Sequence, residues 1–166
     1  MKINLKNGNV WTMMVGLAVI AALLACTSGR SQQAAVAESF ADKRWQLKSM
    51  TVSPAIDIDK DGVLDTDMLQ FQDECDADDI TIFRSDHQLI IEHGRIPCND
   101  DEEAEEEKGE WQYDPAKKTL TITHYDSDKI EEVQVAESQA TRLKLTFQTV
   151  FHGTPCTVTI EQVLSK

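Results

Sequence analysis

From Lys43 onward, apolar residues recur at every second position in short runs, with turn-forming residues between them. A two-residue period sends successive side chains to opposite faces, so each run predicts a half-buried β-strand. Trp45-Gln46-Leu47 opens the first. Ile80 to Phe83 and Leu89 to His93 predict a hairpin around Ser85-Asp86. Trp111 to Tyr113, after Gly109, predicts a fourth strand. Asp114-Pro115-Ala116-Lys117 reads as a turn, because proline presets φ. Leu120 to Tyr125 and Ile130 to Val135 flank a second turn at 125–128. Thr141 to Val150 alternates most clearly: Leu143, Leu145 and Phe147 share one face, and Arg142, Lys144, Thr146 and Gln148 the other. Gly153-Thr154-Pro155 turns into Cys156 to Val163, where Val158 and Ile160 share a face.

The pattern predicts an all-β domain over 42–166, with about eight antiparallel strands in an up-and-down barrel. The links from Gly109 onward are of hairpin length, so sequence neighbours become spatial neighbours. An open β-sandwich is the alternative, because alternation does not determine closure. The helical signal is Leu64, Met68 and Phe71, spaced four and three apart, which predicts one short helix of one or two turns.

The N-terminus follows another rule. Lys2 and Lys6 precede Trp11 to Leu24, an apolar stretch without charge that is too short to span a bilayer comfortably. Leu23-Leu24-Ala25-Cys26 ends it and resembles the lipobox of bacterial lipoprotein signal peptides. The resemblance implies a signal peptide at 1–25, cleavage before Cys26, and lipid (palmitate included) on that cysteine. The membrane is then a partner through Cys26. Residues 26–41, small, polar and alanine-rich, read as a flexible tether with a weak helical tendency at Ala34 to Phe40.

Charge narrows the partners. The net charge is −13, and residues 1–25 hold Lys2, Lys6 and no acid, so the remainder is two units more negative, −15. Such a chain does not bind nucleic acid by neutralising phosphates. It also lacks a basic patch for an anionic membrane, which leaves attachment to the lipid. Cations and basic surfaces are the suitable partners. In an oxidising envelope compartment Cys75, Cys98 and Cys156 can form disulfides, and an odd number leaves one free.

Asp57-Ile58-Asp59-Lys60-Asp61-Gly62-Val63-Leu64-Asp65 matches the first nine places of an EF-hand calcium loop. Alternate carboxylates converge on a hard cation, glycine makes the sharp turn, and Val63 offers its carbonyl. The match departs at the twelfth place, where Met68 replaces the bidentate acid, and Pro54 precludes a preceding helix. Asp57, Asp59, Asp61, Val63 and Asp65 are therefore candidate calcium ligands in an incomplete set. The alternative is an ordinary Asp/Gly turn. Asp73 to Asp79 holds five acids in seven residues and is the nearest source of the missing ligand. Asp100 to Glu107 holds seven acids in eight and reads as a solvated, disordered loop.

In order, the chain presents a lipobox, Trp45-Gln46-Leu47, the Asp57–Gly62 loop, Cys75 before Asp78-Asp79-Ile80-Thr81-Ile82-Phe83, Gly94, Cys98 and Gly109-Glu110-Trp111. This order resembles the lipocalin-like-domain lipoproteins of Bacteroidetes-type bacteria over about residues 42–164. The resemblance implies a lipocalin-like barrel whose interior could hold an apolar ligand, no catalytic residues, and a Cys75–Cys98 disulfide. Cys156 then becomes a buried free thiol. By the same analogy, the lack of an acidic cluster after Cys26 implies the periplasmic face of the outer membrane rather than the cell surface.

The sequence holds no Gly-x-Ser-x-Gly turn, no His-Glu-x-x-His and no phosphate-binding glycine loop. His152 and Cys156 flank a turn and need not face each other, while His87, His93 and His124 are scattered, with His93 and His124 on inward or rim parity. The expectation is a non-enzymatic envelope lipoprotein without an organic cofactor. Its barrel would bind a small apolar ligand lined by Trp45, Leu47, Leu143, Leu145, Phe147, Val158 and Ile160. The rival is a structural or interaction module in which those residues fill a dry core and the acidic loops bind calcium or a basic partner. A small eight-stranded barrel permits either. An uncharacterised enzyme is the third reading, and no acid–base or nucleophile constellation in the sequence points to it.

Overall fold

The structure is a computed structural model and describes residues 39–100, 102–127 and 129–166. Nine strands follow in chain order: β1 Arg44–Ile56, β2 Asp65–Asp67, β3 Ile80–Phe83, β4 Gln88–Glu92, β5 Glu105–Asp114, β6 Thr119–His124, β7 Ile130–Ser138, β8 Arg142–Phe151 and β9 Thr154–Leu164. A 3-10 turn at Leu69–Phe71 and a four-residue helix, α1 Glu74–Ala77, lie between β2 and β3. All pairings are antiparallel, in the order β2-β1-β3-β4-β5-β6-β7-β8-β9.

β1 also pairs with β9 from Trp45↔Leu164 to Ser53↔Thr157, which closes eight strands into a barrel and leaves β2 outside. Closure decides against the open sandwich. The eight expected strands are present. The ninth, β2, pairs with the far half of β1, where Thr51 meets Asp67 and Ile56 meets Asp65.

Three expectations change. The helix expected over Leu64, Met68 and Phe71 is split: Asp65–Asp67 pair as a strand, and only Leu69–Phe71 form a 3-10 turn. Met68 instead packs against the core, and its N–H donates to the Met50 carbonyl at 2.8 Å. The acidic run at 100–107 is not wholly a solvated loop, since Glu105, Glu106 and Glu107 begin β5 and pair with Glu92, Ile91 and Ile90. The folded body also takes in residues assigned to the tether: Phe40 is 0 % exposed, and its carbonyl accepts from the Trp45 indole N–H at 2.8 Å.

Two apolar clusters make up the core. One gathers Phe40, Trp45, Phe83, Leu89, Trp111 and Leu120 with Leu143 and Leu145. The Phe40 ring lies 5.4–5.6 Å from the rings of Phe83, Trp111 and Tyr113. The other cluster is Val52, Ile56, Cys156 and Val158. Phe147 and Ile160 pack against both.

Because every neighbour runs antiparallel, the connections alternate between two ends of the barrel. The chain enters at the proximal end, past Phe40, and the β3–β4, β5–β6 and β7–β8 turns and the C-terminus lie there too. The distal end carries the β1–β3 connection with β2, and the β4–β5, β6–β7 and β8–β9 connections. The Asp57–Asp65 loop, Asp73–Asp79 and Asp100–Glu107 therefore all belong to the distal end.

Candidate functional site at the acidic end of the barrel

The Ile56↔Asp65 pair closes the base of the calcium-type loop. Within it the aspartates bond the backbone ahead of them: Asp57 Oδ2 accepts from Gly62 N at 3.0 Å, Asp59 Oδ1 from Asp61 N at 3.2 Å, and Asp61 Oδ1 from Val63 N at 2.7 Å. Lys60 (φ 67°) and Gly62 (φ 90°) adopt the left-handed region, and for Gly62 that conformation carries no side-chain penalty. The result draws one oxygen from each of Asp57, Asp59 and Asp61 within 4.8 Å of one another. Asp57 Oδ1 is buried and has no hydrogen-bond partner.

Asp65 stands apart from this trio. Its Oδ2 accepts from Ile58 N and its Oδ1 from Gln70 Nε2, each at 3.3 Å, so it ties the base of the loop together. The Val63 side chain is 61 % exposed. Asp78 and Asp79, from the cluster expected to supply the missing ligand, accept hydrogen bonds from backbone N–H groups after β4. Asp79 Oδ1 accepts from Gly94 N at 3.0 Å, and Asp78 Oδ2 from Arg95 N at 2.8 Å. A Cβ on Gly94 would lie 2.1 Å from the Asp78 carboxyl group, so a larger residue there would displace that side chain.

Cys75 and Cys98 form a disulfide with a Cα–Cα distance of 5.2 Å. It fastens α1 to the β4–β5 connection, in the pairing that the family resemblance implied. Cys156 is free and buried, with Sγ 3.6 Å from the Thr149 carbonyl. His152 (φ 48°) and Gly153 (φ 85°) make the tight β8–β9 turn, and His152 is exposed there while Cys156 lies in the core.

His93 is the residue whose setting the sequence did not reveal. It follows β4 and is ringed by carboxylates. Nδ1 lies 3.1 Å from Asp79 Oδ2 and 3.6 Å from Glu102 Oε1, and Nε2 lies 3.5 Å from Glu106 Oε2. The side chains of His93, Asp79 and Glu102 are each less than 15 % exposed. A hydrogen bond from Lys108, whose Nζ is 2.7 Å away, holds the Glu106 carboxyl below its ordinary value, with His93 adding to the effect. A cleft of about 560 Å³ borders His93, Glu102, Glu106 and Lys108. Elsewhere at this end His124 Nε2 faces Glu131 Oε2 at 3.3 Å.

Of the expected ligand-lining residues, Trp45, Leu143, Leu145 and Val158 are buried in the two clusters, and Phe147 and Ile160 bridge them. Leu47 is half-buried and belongs to neither cluster. Gln162, an inward residue that the alternation did not single out, donates to Thr81 Oγ1 at 3.2 Å, and its Oε1 has no hydrogen-bond partner.

Cys26 and the expected signal segment lie outside the described residues. Among the described residues, no helix is long and apolar enough to cross a membrane. No family model matches the chain, and no curated protein matches it.

Proposed function

We propose a non-enzymatic, lipocalin-like envelope lipoprotein, anchored through Cys26, whose filled barrel is a scaffold for an acidic, calcium-binding distal end. One observation carries the choice between a hollow and a filled barrel. The side chains expected to line a ligand cavity, Leu47 excepted, belong to or pack against the two apolar clusters, with Trp45, Leu143 and Val158 at 0 % exposure. A small barrel filled by its own side chains is a packed core.

The calcium reading is supported by the converging oxygens of Asp57, Asp59 and Asp61 and by the unpaired, buried Asp57 Oδ1. With Asp65 bonded elsewhere and no bidentate acid, affinity falls in the roughly 10⁻⁴–10⁻³ M range of extracellular calcium modules. A cation bound only to the folded form raises the melting temperature as its concentration rises. The test titrates calcium into the parent protein and into the D59N/D61N variant. The reading expects a shift in the parent alone. No shift, or the same shift in both, removes the calcium site, and an equal shift assigns the effect to screening of the overall negative charge.

The anchor is tested separately. Cys26→Ala should leave the protein unprocessed or soluble, and fractionation of the variant with membranes like the parent would remove the lipid reading.

A further inference from the structure

Cys75, Asp76 and Cys98 converge where α1 meets the β4–β5 connection, and one ligand atom from each lies within 4.8 Å of the others. Asp76 Oδ1 stands 3.6 Å from Cys98 Sγ. With the disulfide formed that sulfur carries no proton, so the contact is not a hydrogen bond. The spacing fits a different chemistry. A thiolate at about 2.3 Å and a carboxylate oxygen at about 2.1 Å from a tetrahedral zinc ion lie about 3.6 Å apart. Cys98 and Asp76 are exposed, and Cys75 is half-buried. Asp76 and Cys98 also border the cleft of about 560 Å³ beside His93, which has room for a water as a further ligand.

We propose that reduction of the Cys75–Cys98 disulfide by a dithiol turns this corner into a zinc site, with Cys75 Sγ, Cys98 Sγ and the Asp76 carboxylate as protein ligands and water in the fourth position. The S–S bond takes up two electrons and two protons, and the dithiol is oxidised to its own disulfide. Zinc then displaces both thiol protons. The charge of the corner favours this outcome. Glu102, Glu103 and Glu106 line the same cleft, and Lys108 is engaged by Glu106 at 2.7 Å. Two bare thiolates are repelled by these carboxylates, whereas a divalent cation is attracted. Thiolates suit zinc rather than calcium, a hard ion that takes oxygen ligands, so the site is chemically distinct from the Asp57–Asp61 loop.

The corner is held without the S–S bond. Asp79 and Asp78 accept from Gly94 N and Arg95 N, and Glu102 Oε2 accepts from Cys98 N at 3.0 Å. These bonds keep the residues after α1 and the β4–β5 connection together when the sulfurs part. In a tetrahedral site the two sulfurs stand about 3.8 Å apart, a separation that side-chain rotation supplies.

The full chain, in detergent micelles, is reduced with dithiothreitol, freed of it by gel filtration under nitrogen, and titrated with cobalt(II) as a spectroscopic stand-in for zinc. The reduced chain is expected to show a thiolate-to-cobalt charge-transfer band that zinc bleaches, and the oxidised chain none. With zinc at about tenfold its Kd only about one site in ten stays free, so iodoacetamide should alkylate Cys75 and Cys98 about tenfold more slowly, read cysteine by cysteine in peptide maps. The C75S/C98S variant should lose the band. Asp76→Ala should weaken zinc at least about tenfold, since even a group behind a metal ligand is worth about 10–100-fold. No band in the reduced parent, an equal band in C75S/C98S, or alkylation unchanged by zinc overturns the proposal. Parent affinity in Asp76→Ala overturns the three-ligand site. The alkylation comparison needs only the parent chain and decides the matter if a variant does not fold.

Discussion

Phe40→Ala tests where the folded body begins. The Phe40 ring is 0 % exposed and meets three aromatic rings at 5.4–5.6 Å. Full burial of a phenylalanine side chain contributes roughly 1.5–3 kcal/mol. Each well-placed aromatic pair adds about 0.5–1.5 kcal/mol, and these contributions overlap rather than sum. Large-to-small core substitutions of this kind cost about 3–5 kcal/mol. The loss expected here is about 3 kcal/mol, the low end, because the proximal rim next to a chain entry can relax or admit water. The hydrogen bond from the Trp45 indole to the Phe40 carbonyl uses backbone and survives the substitution, so the measurement isolates the ring. Urea denaturation followed by tryptophan fluorescence should show a lower midpoint with an unchanged slope. A loss below about 1 kcal/mol, typical of a surface position, would mean that the ring is not part of the core and that residue 40 belongs to a tether after all.

Gly109→Ala should cost at least about 2 kcal/mol by overpacking, because a Cβ there would lie 2.1 Å from the Thr123 carbonyl oxygen; a midpoint equal to the parent's would refute that close approach. Cys75 and Cys98 should appear as one linked pair, with Cys156 free, in non-reducing peptide maps. Their joint replacement by alanine should cost about 2–4 kcal/mol for a loop of this separation, and a map linking Cys156 to either would overturn the pairing. At Glu131, burial pushes the carboxyl up, but Lys129 and His124 outweigh it and hold the group below 4.5. Its contribution to stability is therefore complete above that value and is lost as pH falls through the lowered one. Lys129→Met should raise the Glu131 titration midpoint in ¹³C NMR, and an unchanged midpoint would remove the ion pair.

Side-chain alternation made most of the barrel legible, and its failures have a common cause. β8 and β9 pair without interruption from Arg142↔Val163 to Phe151↔Thr154, so their period survives in the sequence. β1 does not. A bulge between Leu47 and Ser49 moves the inward face from Trp45 to Met50, Val52 and Ile56, so only Trp45-Gln46-Leu47 read as strand. The bulge between Glu107 and Gly109 likewise hid the acidic start of β5, as did its charge. A one-residue slip reverses facing, and a period-two reading cannot follow it.

The loop Asp57–Asp61 was visible because its bonds are local: each aspartate reaches a backbone N–H two to five residues ahead. Local chemistry is written in local sequence. The ring of carboxylates around His93 was not visible, because Asp79, Glu102 and Glu106 reach it across 9 to 14 residues through a disulfide-fastened connection. The acids of 73–79 were visible as a cluster, but which groups they bind depended on where the β4 end and α1 came to rest.

By itself the sequence determined the strand count of the barrel, the hairpin turns and the side chains that line the inner faces of β8 and β9, since these depend on period and turn chemistry. Tertiary structure alone decided three things. β1–β9 pairing closed the sheet, Phe40 joined the core rather than the tether, and antiparallel alternation gathered the acidic connections at one end. Each joins residues far apart in the chain, and contacts of that kind are settled by packing in three dimensions rather than by neighbours in sequence.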